Sequence, residues 1–264
     1  MNSIKENPIG FFDSGIGGTS IWKEVHKLLP NENTIYLADS KNAPYGDKTE
    51  NRIIEYCVKN TEILLNQNTK IIVVACNTAT TNAIKVLREI YTIPFIGIEP
   101  AIKPASLVTK TNNIGVLATK GTIQSDLFEK TSANLKSDIK IIEKVGDGLV
   151  DLIEKGEIES KEIEFLLKKY LNPMMEKNID ALVLGCTHYP YLIPSIRKIV
   201  TNDIKIIDAG FAVARQTKKI LEKFNIAQTN ENCKTTHKFF SNKDTKVLSK
   251  LLNNYSVEIL SKEF

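Results

Sequence analysis

Short stretches that are apolar at every position recur along this chain, each followed by a polar turn and a longer amphipathic segment. "IIVVA" (71–75) and "ALVLG" (181–185) are the clearest. A strand with one wet face alternates apolar and polar residues. A strand without alternation must be covered on both faces, which calls for a parallel sheet sandwiched by helices. The rhythm repeats along the first hundred residues: strands at 8–12, 34–38, 71–75 and 95–98, and helices at 19–29, 49–66, 80–90 and 101–108. The expected fold class is therefore α/β, with mostly parallel sheets flanked by helices.

The pattern also repeats at longer range. "IGVLATKGT" (114–122) resembles "IGFFDSGIGGT" (9–19): an apolar strand opening into a Gly-bearing polar turn before a helix. "ALVLGCTH" (181–188) echoes "IIVVACNT" (71–78): an apolar strand, a small residue, Cys, then Asn or Thr. The two echoes fall in the same order at near-equal separations, so the chain reads as two similar α/β halves. Each half carries one strand-end cysteine behind one Gly-bearing turn. The two prolines of "GIEPAIKPA" (97–105) mark the junction.

Composition supplies limits. With 264 residues, 42% hydrophobic and 25% charged, the chain can bury one large core or two ordinary ones. Its formal net charge of +4 is spread through mixed segments such as "KEIEFLLKKY" (161–170), so neither nucleic acid nor a membrane is expected as partner. The opening "MNSIKENPIGFF" has no apolar export segment and the apolar runs are too short to span a bilayer. A cytoplasmic location is expected. There the four cysteines, Cys57, Cys76, Cys186 and Cys233, stay reduced, and without CxxC spacing they suggest no metal site. Cys57 falls on an apolar helix face and reads as core; Cys233, in polar "TNENCKTT", reads as a bystander.

Cys76 and Cys186 are different. In open α/β sheets ligands bind beyond the carboxyl ends of the strands, where both residues stand. A following helix start favours a thiolate there. Two thiols facing one cleft from opposite sides meet the requirement for inverting a stereocentre: one removes a proton while the other returns one to the opposite face. Asn77, Thr78, Thr187 and backbone N–H groups at the helix starts suit a substrate carboxylate. An α-proton beside a carboxylate is a very weak acid, so each thiol needs a partner. Asp13, His188 and Glu154 are the available groups.

The motifs "FDSGIGG", "APYG", "ACNTAT", "EPAIKPA", "LATKGTI" and "LGCTHYP" together resemble those of bacterial glutamate racemase, in family order from about Ile9 to Gly210. The resemblance implies two pseudosymmetric domains with the active site in the cleft between them. The first would comprise 1–97 with 210–264, and the second 98–209. It implies cofactor-independent interconversion of L- and D-glutamate for peptidoglycan synthesis, by an enzyme expected to be a homodimer. Cys76 would take the α-proton from D-glutamate and Cys186 from L-glutamate, assisted by Asp13 and His188 respectively, with Glu154 nearby. Asp13, Ser14, Pro44, Tyr45, Gly46, Asn77, Thr78, Thr119, Thr122 and Thr187 would hold the substrate. One departure stands out: many members have a Cys-Pro pair before the acidic residue, where this chain reads "VGDGLVDLIEKGE" (145–157), leaving Asp147 and Asp151 as rivals of Glu154. Ligand-activated members carry a longer N-terminal extension, so no such activation is expected. Aspartate racemisation, a single-thiol lyase or hydrolase, and a non-catalytic amino-acid-binding protein are the competing readings.

Overall fold

In the computed structural model, which describes residues 4–230 and 234–264, the strands form two sheets whose pairings are all parallel. The first contains β1 (Ile9–Asp13), β2 (Thr34–Ala38), β3 (Ile71–Val74) and β4 (Phe95–Ile96). The second contains β5 (Asn113–Ala118), β6 (Lys140–Val145), β7 (Ala181–Gly185) and β8 (Lys205–Ile207), in the order β6-β5-β7-β8. The chain then returns to the first sheet with β9 (His237–Ser241) and β10 (Glu258–Ser261), giving β10-β9-β2-β1-β3-β4. Cys233 lies outside the described residues. No helix among the described residues is long and apolar enough to cross a membrane.

The continuous apolar runs are central strands, buried at every position of β1, β2, β3 and β7. Their alternate residues feed different cores: Ile71 and Val73 one, Ile72 and Val74 another. Phe11 on β1 and Leu182 on β7 belong to the same apolar cluster, which runs from one sheet to the other. The helix Gly210–Lys223 packs on the helix Thr19–Leu28, carrying the chain back to the first sheet.

Two helix boundaries differ from expectation where they matter. The helix expected from Thr80 starts at Asn77, directly after Cys76, because the thiol itself caps it: Cys76 Sγ accepts a hydrogen bond from Ala79 N at 3.4 Å. The helix expected after Cys186 is a 3-10 turn, Tyr189–Leu192, with Pro190 near its start. The strand ends 95–98 and 71–75 also close earlier, at Ile96 and Val74.

Candidate active site

The carboxyl ends of β1, β2, β3, β5 and β7 meet where the loops of the two sheets touch. Thr78 and Thr119 hydroxyls join across the junction at 2.8 Å, and Ser20 Oγ donates to Thr187 O at 2.8 Å. Between them lies a small cavity lined by both Cys76 and Cys186. Ser14, Pro44, Tyr45, Gly46, Asn77, Thr78, Thr119, Val150, Thr187 and His188 complete its wall. The thiols are 4% and 6% exposed, enclosed but opening onto the cavity. Asn77 Nδ2 is buried without a hydrogen-bond partner among the described residues, a donor left free at the wall.

Three of the sequence-predicted residues stand behind this wall. Thr122 is fully buried and touches the hydroxyls of Thr119, at 3.0 Å, and Thr78, at 3.4 Å. Asp13 is fully buried, and its Oδ2 accepts from Gly18 N at 2.8 Å. The Cys76 thiol lies near enough to favour the charged form of Asp13 without completing a hydrogen bond to Oδ1. Glu154 closes the far side: its Oε1 meets His188 Nε2 at 2.6 Å and accepts from Ile16 N at 2.7 Å, and its Oε2 accepts from Ser40 Oγ at 2.9 Å. His188 Nδ1 is in turn 3.7 Å from Cys186 Sγ.

Of the three acids, Glu154 meets His188, whereas Asp147 and Asp151 line an adjoining pocket. Gly148, at φ 79°, makes the left-handed turn that starts the helix Leu149–Glu154 and aims its last residue inward.

The glycines of "DSGIGG" serve space more than turn geometry. A Cβ on Gly15 would lie 2.1 Å from Glu154 Oε1, and one on Gly17 2.2 Å from His188 Nδ1. The bare backbone of the first Gly-bearing turn is the seat of the Glu154–His188 pair from the other sheet.

The electrostatics are unequal on the two sides. Burial pushes the Cys76 thiol well up, and the neighbouring Asp13 charge adds to it, outweighing the N–H of Ala79. The lowered thiol expected from the helix start is therefore not found. Burial alone would depress the His188 imidazole, but its contacts with Cys186 and Glu154 win and hold it well above its usual range. Burial likewise opposes ionisation of Glu154, and the bonds from His188, Ile16 N and Ser40 reverse this and keep its carboxyl low. Asp13 is raised to about 6, chiefly by burial and further by Glu154, with the His188 charge working against them. The partners expected to serve separate thiols thus act on each other.

Asp13 therefore limits stability. Its folded-state value of about 6 exceeds the unfolded 3.8, so folding takes up a proton between those pH values and the charged form opposes folding above them. Asp13→Asn is expected to raise the unfolding free energy at pH 8 by up to about 3 kcal/mol, the gain fading as pH falls through the window. Urea unfolding across pH 4–8 measures this. A variant less stable than the native protein at pH 8 would refute it.

Sequence reasoning missed Val150, which lines the cavity, and the end of β2. Asp39 there accepts from the Tyr45 hydroxyl at 2.5 Å and from Asn42 and Asn242 side chains, fixing a cavity-wall residue. Among the described residues no group of three or more His, Cys, Asp or Glu is arranged to hold a metal ion.

Known proteins resemble this architecture closely. The Asp/Glu/Hydantoin racemase family profile matches residues 18–217. The glutamate racemase of Cupriavidus pinatubonensis is 44% identical over 227 residues, 86% of this chain and 84% of that protein. The crystal structure of Escherichia coli glutamate racemase with L-glutamate and the activator UDP-MurNAc-Ala superposes with a TM-score of 0.86 at 32% identity, covering 97% of this chain and 98% of that one. That of the Francisella tularensis enzyme with D-glutamate gives 0.83 at 32% identity, covering 97% and 98%.

Proposed function

The chain belongs to the Asp/Glu/hydantoin racemase family, alongside its glutamate racemases, and from that premise we propose that it interconverts L- and D-glutamate with two cysteine thiols and no cofactor. The observation that carries the reading is that Cys76 and Cys186 line one small cavity from the ends of strands in different sheets. A substrate α-carbon between them has one sulfur on each face.

For L-glutamate, Cys186 removes the α-proton and the Cys76 thiol delivers a proton to the opposite face. For D-glutamate the roles exchange. Burial favours the protonated form of Cys76, which is the state needed to act as the acid. His188, holding a proton between Glu154 and Cys186, can give one to or take one from that sulfur through Nδ1. The unpartnered Asn77 Nδ2 and the hydroxyls of Ser14, Thr78, Thr119 and Thr187 bind the carboxylates, and their fixed dipoles stabilise charge developing on the α-carboxylate as the proton leaves.

The division into 1–97 with 210–264 and 98–209 is part of the same proposal, supported by each sheet falling wholly within one portion. Supply of D-glutamate for peptidoglycan in the cytoplasm, and a homodimeric state, are proposed from the family resemblance.

Incubation with L-glutamate in deuterated water is expected to yield racemic product carrying α-deuterium without any added metal, pyridoxal phosphate or nucleotide. The same incubation with L-aspartate should leave it unlabelled. Label in aspartate and none in glutamate would overturn the substrate assignment.

A further inference from the structure

The end of β2 repeats a feature of its neighbour. β1 runs into "FFDS" (11–14) and β2 into "LADS" (37–40); the strands pair in parallel, and Asp39 N donates to Asp13 O at 3.0 Å. Asp13 and Ser14 adjoin Cys76, with Ser14 Oγ 3.8 Å from its sulfur. The hydrogen bonds of the second Asp-Ser pair go to other groups than the two thiols. Asp39 holds Tyr45, and Ser40, 4% exposed, gives its hydroxyl to Glu154 Oε2.

Glu154 follows β6 of the second sheet, yet two of its three donors, Ile16 N and Ser40 Oγ, come from loops of the first. Ile16 N and His188 both bond Oε1, so Ser40 alone among the described residues bonds Oε2. A buried carboxylate oxygen without a donor carries a large desolvation cost, and a carboxylate bonded on one oxygen only is free to turn about its terminal torsion. His188 is seated directly on Oε1, so any such turn moves the imidazole against Cys186.

We propose that Ser40 is a positioning residue for racemisation: it fixes the Glu154 carboxylate from across the junction of the two sheets, and through it the orientation in which His188 serves Cys186. The inference rests on the two-thiol reading. Its effect falls mainly on the Cys186 side, because His188 Nδ1 faces Cys186 and none of Ser40, Glu154 and His188 hydrogen-bonds Cys76.

Ser40→Ala is expected to lower kcat/KM about tenfold, the size set by one hydrogen bond to a buried charge. The fall must be equal in both directions, since the equilibrium between enantiomers is fixed. Isotope effects on kcat/KM locate it. Slowing the Cys186 step makes it limiting, so the effect with α-deuterated L-glutamate rises while that with α-deuterated D-glutamate falls toward one. Ser40→Thr keeps the hydroxyl and restores both. In a Glu154→Gln background, Ser40→Ala costs nothing further. Equal isotope effects unchanged from wild type, or a further tenfold loss in that background, would overturn the proposal. If Ser40→Ala does not fold, Ser40→Thr against Ser40→Val makes the same comparison. The imidazole 1H–15N signals of His188 supply a readout independent of turnover: its Nε2–H shifts in Ser40→Ala if the inference holds and stays in place if it does not. Wild-type protein that fails to racemise glutamate would sink the functional reading alone, leaving those signals to decide this one.

Discussion

On the two-thiol proposal, Cys76→Ser and Cys186→Ser are each expected to lower racemisation of glutamate by about 10³-fold, the contribution of a positioned proton-transfer group. Serine is nearly isosteric with cysteine, so the buried walls around both positions stay filled, and near-ultraviolet circular dichroism should be unchanged. What changes is acidity. A hydroxyl in either place is a far poorer acid and base than a thiol, and in the proposed mechanism each cycle uses both groups. The loss is therefore as large for one substitution as for the other, and the double variant is hardly worse than either single one, as for residues that act as a unit. Polarimetry with L- and with D-glutamate measures it. A single variant that racemised at the wild-type rate would end the two-thiol proposal.

Gly17→Ala has the next largest effect, through one methyl group. The new Cβ would stand 2.2 Å from His188 Nδ1, well inside contact distance. The ring has little freedom to withdraw, since Nε2 meets Glu154 at 2.6 Å and Nδ1 faces Cys186 at 3.7 Å. Either the imidazole or the turn carrying Asp13 and Ser14 must shift by something near 1 Å, a displacement that costs about 10²-fold in rate. Overpacking of this kind also costs about 1–3 kcal/mol of stability. Activity and urea unfolding of Gly17→Ala test both parts. Native-like turnover would show that the close approach is not required.

The crowding at Gly17 is not legible in the sequence. "DSGIGG" read as a tight strand-to-helix turn, the ordinary use of glycine. What excludes a side chain at Gly15 and Gly17 is a carboxylate and an imidazole from residues 154 and 188, brought in by the other sheet. Short-range pattern carries the strands, because an unalternating run such as 71–74 has only one comfortable environment. It also carries the two thiols, because the strand-end context repeats. It does not carry Ser40 or Asp39, since "LADS" is an unremarkable strand end until its partners Glu154, Tyr45 and Asn242 are in place. Glu154 was one of three acids in the sequence and is singled out by three donors distant along the chain. The helix expected from Thr80 starts earlier because a sulfur stands where capping oxygens usually do.

β2 pairs on one side with β1 and on the other with β9, whose residues 237–241 are among the last of the chain. During synthesis the strand that carries Asp39 and Ser40 to the cavity must therefore wait, one edge unpaired, while everything from β3 through the helix Gly210–Lys223 emerges. The second sheet, drawn from a single stretch between residues 113 and 207, has no such delay. The ribosome thus releases the Cys186 side first, and the Cys76 side is completed around it. An exposed apolar edge is the form most open to mispairing with another chain, so the nascent protein is most vulnerable just before its final strands appear.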